Sequence, residues 1–126
     1  MEISNNNYIS DIHEYCKKIY DKLGYGYKEH IYVNAMCYHL REKNFLFGTE
    51  VIVPINYNNI QIGFTRADII IYSPIKCVLE FKALTNNVTK KEFNQLNQYI
   101  TNLDVDYGVL INFSNNLEFK SIIKNS

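Results

Sequence analysis

The stretch VLEFKAL, residues 78–84, places a carboxylate and an ammonium group two residues apart inside an apolar segment. In a β-strand, side chains two residues apart project from the same face of the sheet. Glu80 and Lys82 therefore share one face, and Leu79, Phe81 and Ala83 lie on the other. The pattern predicts a strand that buries one face in the core. Its other face carries either an ion pair or charged residues with a function.

The composition is typical of an ordinary globular protein. The 126 residues fit one domain, residues 1–126, with a substantial core. The formal net charge is zero, so contact with nucleic acid would depend on a local basic patch. Three cysteines without C-x-x-C spacing argue against a disulfide framework or a zinc site. With no signal peptide and no apolar stretch long enough to span a membrane, we expect an intracellular protein.

Hydrophobic periodicity predicts an α/β domain with a mixed sheet and the order α-α-β-β-β-α-β-β. Apolar residues recur at helical spacing from Ile9 to Leu23, and a capping box, Thr89-x-x-Glu92, opens the third helix. We expect a hairpin turn at 58–59 and a bulge or bend at Gly63. The other predicted elements are a helix over about 27–43, strands over 49–57, 60–72 and 76–83, a helix over 89–103, and strands over 107–113 and 117–123.

Three acids stand where the pattern predicts apolar surroundings. Asp68 directly precedes three isoleucines, Glu80 lies inside the third strand, and Glu29 opens the second helix at a spacing that places it on the sheet-facing side. Each has a simple structural explanation when taken alone. Glu29 would favour the positive end of the helix dipole, Asp68 would be a polar residue on an open face, and Glu80 would pair with Lys82 at little gain in stability.

Taken together, the acids indicate a site. Asp68 and Glu80 lie on consecutive strands joined by a short turn, so we expect the two strands to pair. Adjacent carboxylates raise each other's pKa unless a cation lies between them. Mg²⁺ suits this position because it takes one or two protein carboxylates together with waters and substrate phosphates. A lysine beside it can orient or deprotonate a water, which is the set of parts that phosphodiester hydrolysis requires.

Three motifs resemble those of a known superfamily. Asp68 followed by Glu80-Phe81-Lys82 resembles the D…(D/E)-x-K signature of the PD-(D/E)XK nucleases. GYKEHIY, residues 26–32, reads Gly-x-x-Glu-x-x-Tyr, the motif that names the GxxExxY protein family within that superfamily. QLNQY, residues 95–99, resembles the Gln-x-x-x-Tyr motif of its exonuclease-like branches. The resemblance covers about residues 23–123 and implies a restriction-endonuclease-like core, a mixed five-stranded sheet flanked by helices.

The resemblance also implies roles for individual residues. The implied catalytic residues are Glu29, Asp68, Glu80, Lys82, Gln95 and Tyr99. The divalent metal, Mg²⁺ or Mn²⁺, would be bound by Asp68, Glu80 and the backbone carbonyl of Phe81, with Glu29 binding it directly or through water.

The remaining implied residues act around the nucleophile. Lys82 would position the water, Gln95 would hold Lys82 or a substrate phosphate, and Tyr99 would brace Gln95 or the scissile strand. Gln95 and Tyr99 are four residues apart in the predicted helix, which places them on one flank. Arg66 shares a strand face with Asp68 and is either a phosphate contact or a surface charge.

These observations leave three hypotheses. The leading one is a metal-dependent nuclease that hydrolyses phosphodiester bonds, in DNA in preference to RNA. The alternative is a catalytically weak or inactive nucleic-acid-binding protein with a nuclease fold. The third is a structural α/β domain whose acids form salt bridges with Lys82 and Arg66. Because the sequence shows no additional DNA-binding module, the core domain, a partner protein or a homodimer would have to hold the substrate.

Overall fold

The computed structural model describes residues 5–124. The elements are α1 (Asn5–Leu23), α2 (Glu29–Glu42), β1 (Leu46–Tyr57), β2 (Ile60–Ser73), β3 (Cys77–Lys82), α3 (Lys90–Asn102), β4 (Tyr107–Phe113) and β5 (Leu117–Ile123). The predicted order and the mixed five-stranded sheet are confirmed. None of the described helices is long and apolar enough to cross a membrane.

Two predicted boundaries shift for local reasons. β1 begins at Leu46, three residues earlier than predicted, because the long β2 extends to Ser73 and pairs with it there. α2 begins at Glu29, since Gly26 has a φ of 110° and Lys28 has an extended backbone, neither of which continues a helix. The irregularity predicted at Gly63 lies beside it, at Ile62, which has no partner in the β1–β2 register.

The sheet has the strand order β1-β2-β3-β4-β5. Only the β3–β4 pair is parallel, and α3 provides the crossover between these two strands. The other three pairs are antiparallel hairpins or short connections. β3 is therefore the central strand, paired on both edges, and this accounts for its nearly complete burial.

A separate core lies on each face of the sheet. The first core packs α1 and α2 against one face, where Tyr32, Met36 and Leu40 meet Leu79 and Phe81. The second core packs α3 against the opposite face and includes Val78, Leu96 and Leu110. The alternation along β3 matches the expected strand period, because odd-numbered residues enter the first core and Val78 enters the second.

The β1–β2 ribbon is irregular at Asp68. Ala67 and Ile69 are two residues apart and would share a face in a flat strand, yet Ala67 packs in the second core and Ile69 in the first. Glu50, opposite this point on β1, has a φ of 49°, an unusual backbone conformation for a residue with a side chain. Asp68 lies at this irregularity, directly before the first residue of β2 that pairs with β3, Ile69.

Gly108 is required for the close approach of α3 to β4. A Cβ placed there would lie 2.5 Å from Cδ1 of Ile100 and 3.1 Å from Cδ1 of Leu96, both buried in the second core. We predict that Gly108→Val lowers the free energy of unfolding by about 2 kcal/mol or more, because overpacked cores are typically destabilised by 1–3 kcal/mol.

Urea denaturation followed by circular dichroism measures this effect. Gly63→Ala is the matched control, because a Cβ at Gly63 meets nothing within 4 Å. Equal stability of Gly108→Val and the unchanged protein would mean that α3 does not pack as closely as described.

Candidate active site

Asp68 and Glu80 meet where β2 and β3 stop pairing. The regular backbone pairs end at Ile69 and Leu79. Beyond them, the backbone N–H groups donate to carboxylate side chains instead of to backbone carbonyls. The N–H of Phe81 donates to Oδ2 of Asp68 at 2.8 Å, and the N–H of Asp68 donates to Oε1 of Glu80 at 3.3 Å. Each carboxylate thus accepts a hydrogen bond from the backbone of the neighbouring strand, and the two acids lie side by side.

The surroundings make it costly to ionise both acids. Glu80 is only 4% exposed. Its burial, followed by the negative charge of Asp68, raises the pKa of Glu80 to about 8. Burial also raises the pKa of Asp68, an effect that the N–H of Phe81 opposes. The pair therefore favours holding a proton, or a cation in its place, at neutral pH.

Lys82 lies between Glu80 and α3. Its Nζ donates to Oε1 of Gln95 at 3.0 Å and lies 3.8 Å from Oε2 of Glu80. The amide Nε2 of Gln95 donates to the hydroxyl of Tyr99 at 3.2 Å, and this hydroxyl donates to the carbonyl of Arg66 at 3.1 Å. A continuous chain of hydrogen bonds therefore runs from the lysine, along one flank of α3, to β2.

Glu29 lies at the rim of the site. The predicted spacing places it with the buried face of α2, but the structure leaves it exposed because it is the first residue of the helix. It lines a cavity of about 310 Å³ together with Asp68 and Glu50. Arg66 is also exposed, and its guanidinium lies 5.4 Å from the ring centroid of Phe64.

Glu50 is a further acid at this site, and it was not among the residues predicted from the sequence. Its negative charge contributes to the raised pKa of Asp68, and both residues line the same cavity. The sequence contains only a weak signal, an acid at the start of a strand. Its approach to Asp68 depends on the pairing of β1 with β2, which places the two residues opposite each other.

Asn112 organises the chain just after the site. It lies beside Lys82 in the parallel β3–β4 register and is fully buried. Its Oδ1 accepts the N–H of Leu84, and its Nδ2 donates to the carbonyl of Asn86 and to Glu118. These bonds fix the segment between Lys82 and α3. In the sequence, the sign of this role is that Asn112 is a polar residue inside the apolar run YGVLINF.

The donor set fits a hard divalent cation. Within residues 5–124, no group of three or more His, Cys, Asp and Glu side chains is arranged as a metal site. Asp68 and Glu80 nonetheless lie together, and Mg²⁺ commonly takes only one or two carboxylates, with backbone oxygens, waters and phosphates supplying the rest. A cation would also remove the repulsion that makes ionisation of this pair costly.

Comparison with known proteins gives the family. A family model described as the PD-(D/E)XK nuclease superfamily matches residues 6–124. The chain belongs to this superfamily. The structure places Glu80 in contact with both Asp68 and Lys82.

A solved structure has the same fold as this PD-(D/E)XK chain. The crystal structure of SSO0001 superposes with a TM-score of 0.57 at 20% sequence identity, covering 76% of this chain and 50% of SSO0001. The chain thus spans about half the length of that protein. No curated protein matches the sequence.

The buried pair of acids, Asp68 and Glu80, predicts a dependence of stability on pH. The pKa of Glu80 is raised from 4.5 to about 8 on folding, so between these values the folded protein holds a proton that the unfolded chain has lost. Stability is therefore highest below the unfolded value and falls as the pH rises toward 8. We expect the free energy of unfolding of the metal-free protein to drop by about 2 kcal/mol or more between pH 5 and 8.

Denaturation in EDTA at a series of pH values tests this prediction. Glu80→Gln removes the titrating group and should flatten the profile, whereas Glu14→Gln, at an exposed ion pair with Lys17, should keep it. A metal-free profile that rises toward pH 8 would contradict the described surroundings of Glu80.

Proposed function

We propose that this protein is a metal-dependent nuclease that hydrolyses phosphodiester bonds in DNA. The observation that carries the proposal is the contact between Asp68 and Glu80, with Lys82 held beside them by Gln95. Two acids that are costly to ionise together and a neighbouring ammonium group are the parts that metal-assisted hydrolysis uses. Membership of a nuclease superfamily supports the same class of reaction.

Mg²⁺ or Mn²⁺ is the proposed cofactor. Asp68, Glu80 and the carbonyl of Phe81 would hold it, and Glu29 would contribute through water, because its exposed position lies at the cavity rim. When bound, the ion supplies positive charge that polarises the phosphate and the attacking water.

Lys82 has donors available for the reacting groups. An ammonium group has three hydrogens, of which one is donated to Gln95 and one faces Glu80. The third is free to orient the attacking water or to donate to a phosphate oxygen. Tyr99 accepts from Nε2 of Gln95, so the amide oxygen of Gln95 faces Lys82 rather than turning away.

We also assign the chain to the GxxExxY family. Gly26 has a φ of 110°, which favours glycine, and the hydroxyl of Tyr32 bonds the same loop at the carbonyl of Gly24. Glu29 begins α2 beside Asp68. We propose an intracellular location as well, since Cys16, Cys37 and Cys77 are free and buried thiols.

Substitution of the two acids tests the nuclease proposal. We predict that Asp68→Asn and Glu80→Gln each reduce Mg²⁺-dependent cleavage of DNA by about a hundredfold or more, as loss of charge stabilisation in an active site typically does. Cleavage of a labelled oligonucleotide under single-turnover conditions measures the rate. The stabilisation by Mn²⁺ in a thermal-shift assay should disappear in the same variants.

Asp104→Asn is the matched control. The side chain of Asp104 is 91% exposed and forms an ion pair with Lys76, outside the candidate active site. Unchanged cleavage in Asp68→Asn and Glu80→Gln would contradict the proposal. If the unchanged protein binds DNA and is stabilised by Mn²⁺ but cuts nothing, the protein is a binding protein with a nuclease fold.

Gln95 offers a separate test of how Lys82 is positioned. We predict that Gln95→Leu lowers kcat about tenfold with little change in KM, because Lys82 loses its hydrogen-bond acceptor while the metal-binding acids remain. Gln98→Leu, an exposed glutamine on the same helix, is the control. Stabilisation by Mn²⁺ should be unaffected in both variants, and its loss in Gln95→Leu would show that Gln95 acts on the metal site instead.

A further inference from the structure

A second cavity, of about 430 Å³, lies at the carboxyl end of β3. Three segments line it: the loop between α1 and α2, the residues that follow β3, and the end of β4. The lining residues used below are Tyr25, Tyr27, Ala83, Thr85, Phe113 and Asn115. Its volume is in the range of small-molecule sites, about 300–1,000 Å³. In the chain, Ala83 directly follows Lys82 and Tyr27 lies two residues before Glu29, so two of the lining segments continue from segments of the candidate active site.

Two tyrosine rings at this cavity are exposed. Tyr25 is 62% and Tyr27 is 50% exposed, and both line the cavity, so their rings are accessible to a ligand there. Gly24 and Gly26 alternate with these tyrosines and have φ values of 66° and 110°. The left-handed backbone at both glycines lets the loop hold the tyrosines outside the first core.

The loop that carries the tyrosines is nevertheless well anchored. The hydroxyl of Tyr32 donates to the carbonyl of Gly24 at 2.9 Å and accepts the N–H of Tyr27 at 3.3 Å. The ring of Tyr32 stacks on Phe113 with centroids 4.1 Å apart, and Phe113 lies parallel to Phe81, the residue between Glu80 and Lys82. A stack of aromatic rings therefore ties the loop to the strand of the active site.

The charge balance leaves a place for a non-ionic contact with the substrate. The formal net charge is zero, so the protein as a whole does not attract the phosphates of DNA, and cationic contacts would have to be local. Stacking of bases on aromatic side chains supplies affinity without charge and works with any base. The exposed rings of Tyr25 and Tyr27 are suited to that role.

We propose that this cavity binds an unpaired nucleobase of the substrate strand, stacked against Tyr25 and Tyr27, with Thr85 and Asn115 available to its polar edge. This proposal rests on the proposed nuclease function and adds the substrate class: single-stranded DNA, or an unpaired stretch within a duplex. A base inside a duplex would first have to be unstacked and turned out, at a cost of several kcal/mol.

The chain has no tryptophan, which allows a direct binding test. Tyr25→Trp introduces a single indole at the cavity, and a base stacked on it should quench its fluorescence by about half or more. The titration uses a single-stranded oligodeoxynucleotide and a blunt hairpin duplex of the same sequence, with Ca²⁺ in place of Mg²⁺ and the DNA checked to be intact afterwards. We expect quenching by the single strand and little by the duplex.

Tyr38→Trp is the matched control. Tyr38 is 56% exposed, close to the value for Tyr25, but it lies nine residues along α2 from Glu29, about 13 Å by the rise of a helix. Its fluorescence should not respond to DNA. An RNA strand of the same sequence is titrated in parallel. Quenching by RNA also supports a base site, and the ratio of the affinities for DNA and RNA shows which of the two sugars the site prefers.

A second readout uses cleavage. Tyr25→Ala should raise KM for the single strand roughly five- to hundredfold, the usual loss for one base stack, while Tyr25→Phe retains the unchanged value. The parameters for the duplex should change little in either variant, so the preference for the single strand is lost in Tyr25→Ala.

The outcomes separate the two proposals. Metal-dependent cleavage without quenching, and with the same KM in Tyr25→Ala, overturns the base site and leaves the nuclease intact. Quenching by single-stranded DNA without any cleavage supports the base site and overturns the nuclease. Equal quenching by the duplex, or by the Tyr38→Trp control, overturns the assignment of this cavity to an unpaired base.

Discussion

Two carboxylates, Asp68 and Glu80, occupy a poorly hydrated space between β2 and β3, and the surrounding structure is arranged around this unfavourable pair. Each acid accepts an N–H from the opposite strand, which holds both side chains in place after the regular ladder has ended. Lys82 approaches from the second-core face and is fixed by Gln95. The pair lowers protein stability, because apolar residues would pack there at lower cost, and a bound cation would offset that loss.

The site is positioned by two networks of different chemistry on opposite sides of the sheet. Facing the first core, the rings of Tyr32, Phe113 and Phe81 stack and connect the α1–α2 loop to β3. On the other side, hydrogen bonds from Asn112 fix the chain after Lys82, in the segment that leads to α3. The loops around the cavities are thus held by buried contacts, so their side chains are oriented before any substrate arrives.

Local patterns accounted for the element order and for the meeting of Asp68 and Glu80, because consecutive strands joined by a short turn pair in a register that strand periodicity fixes. Other parts depended on contacts between residues distant in sequence. Glu50 approaches Asp68 only through the irregular β1–β2 ribbon, and the partners of Asn112 come from two separate segments. Glu29 was placed with the buried face of its helix, since periodicity does not show that the first turn projects beyond the sheet.

The length of the β1–β2 hairpin has a consequence for local unfolding. β3 pairs with β2 only at residues 69–71, so most of the hairpin has no third strand, and its outer half exposes large apolar side chains such as Ile60 and Ile62. Amides there should exchange with solvent by local fraying rather than by global unfolding. The hydroxyl of Tyr99 donates to the carbonyl of Arg66, so we expect the fraying to end there. The same tyrosine that orients Gln95 therefore also ties β2 to α3 beside the candidate active site.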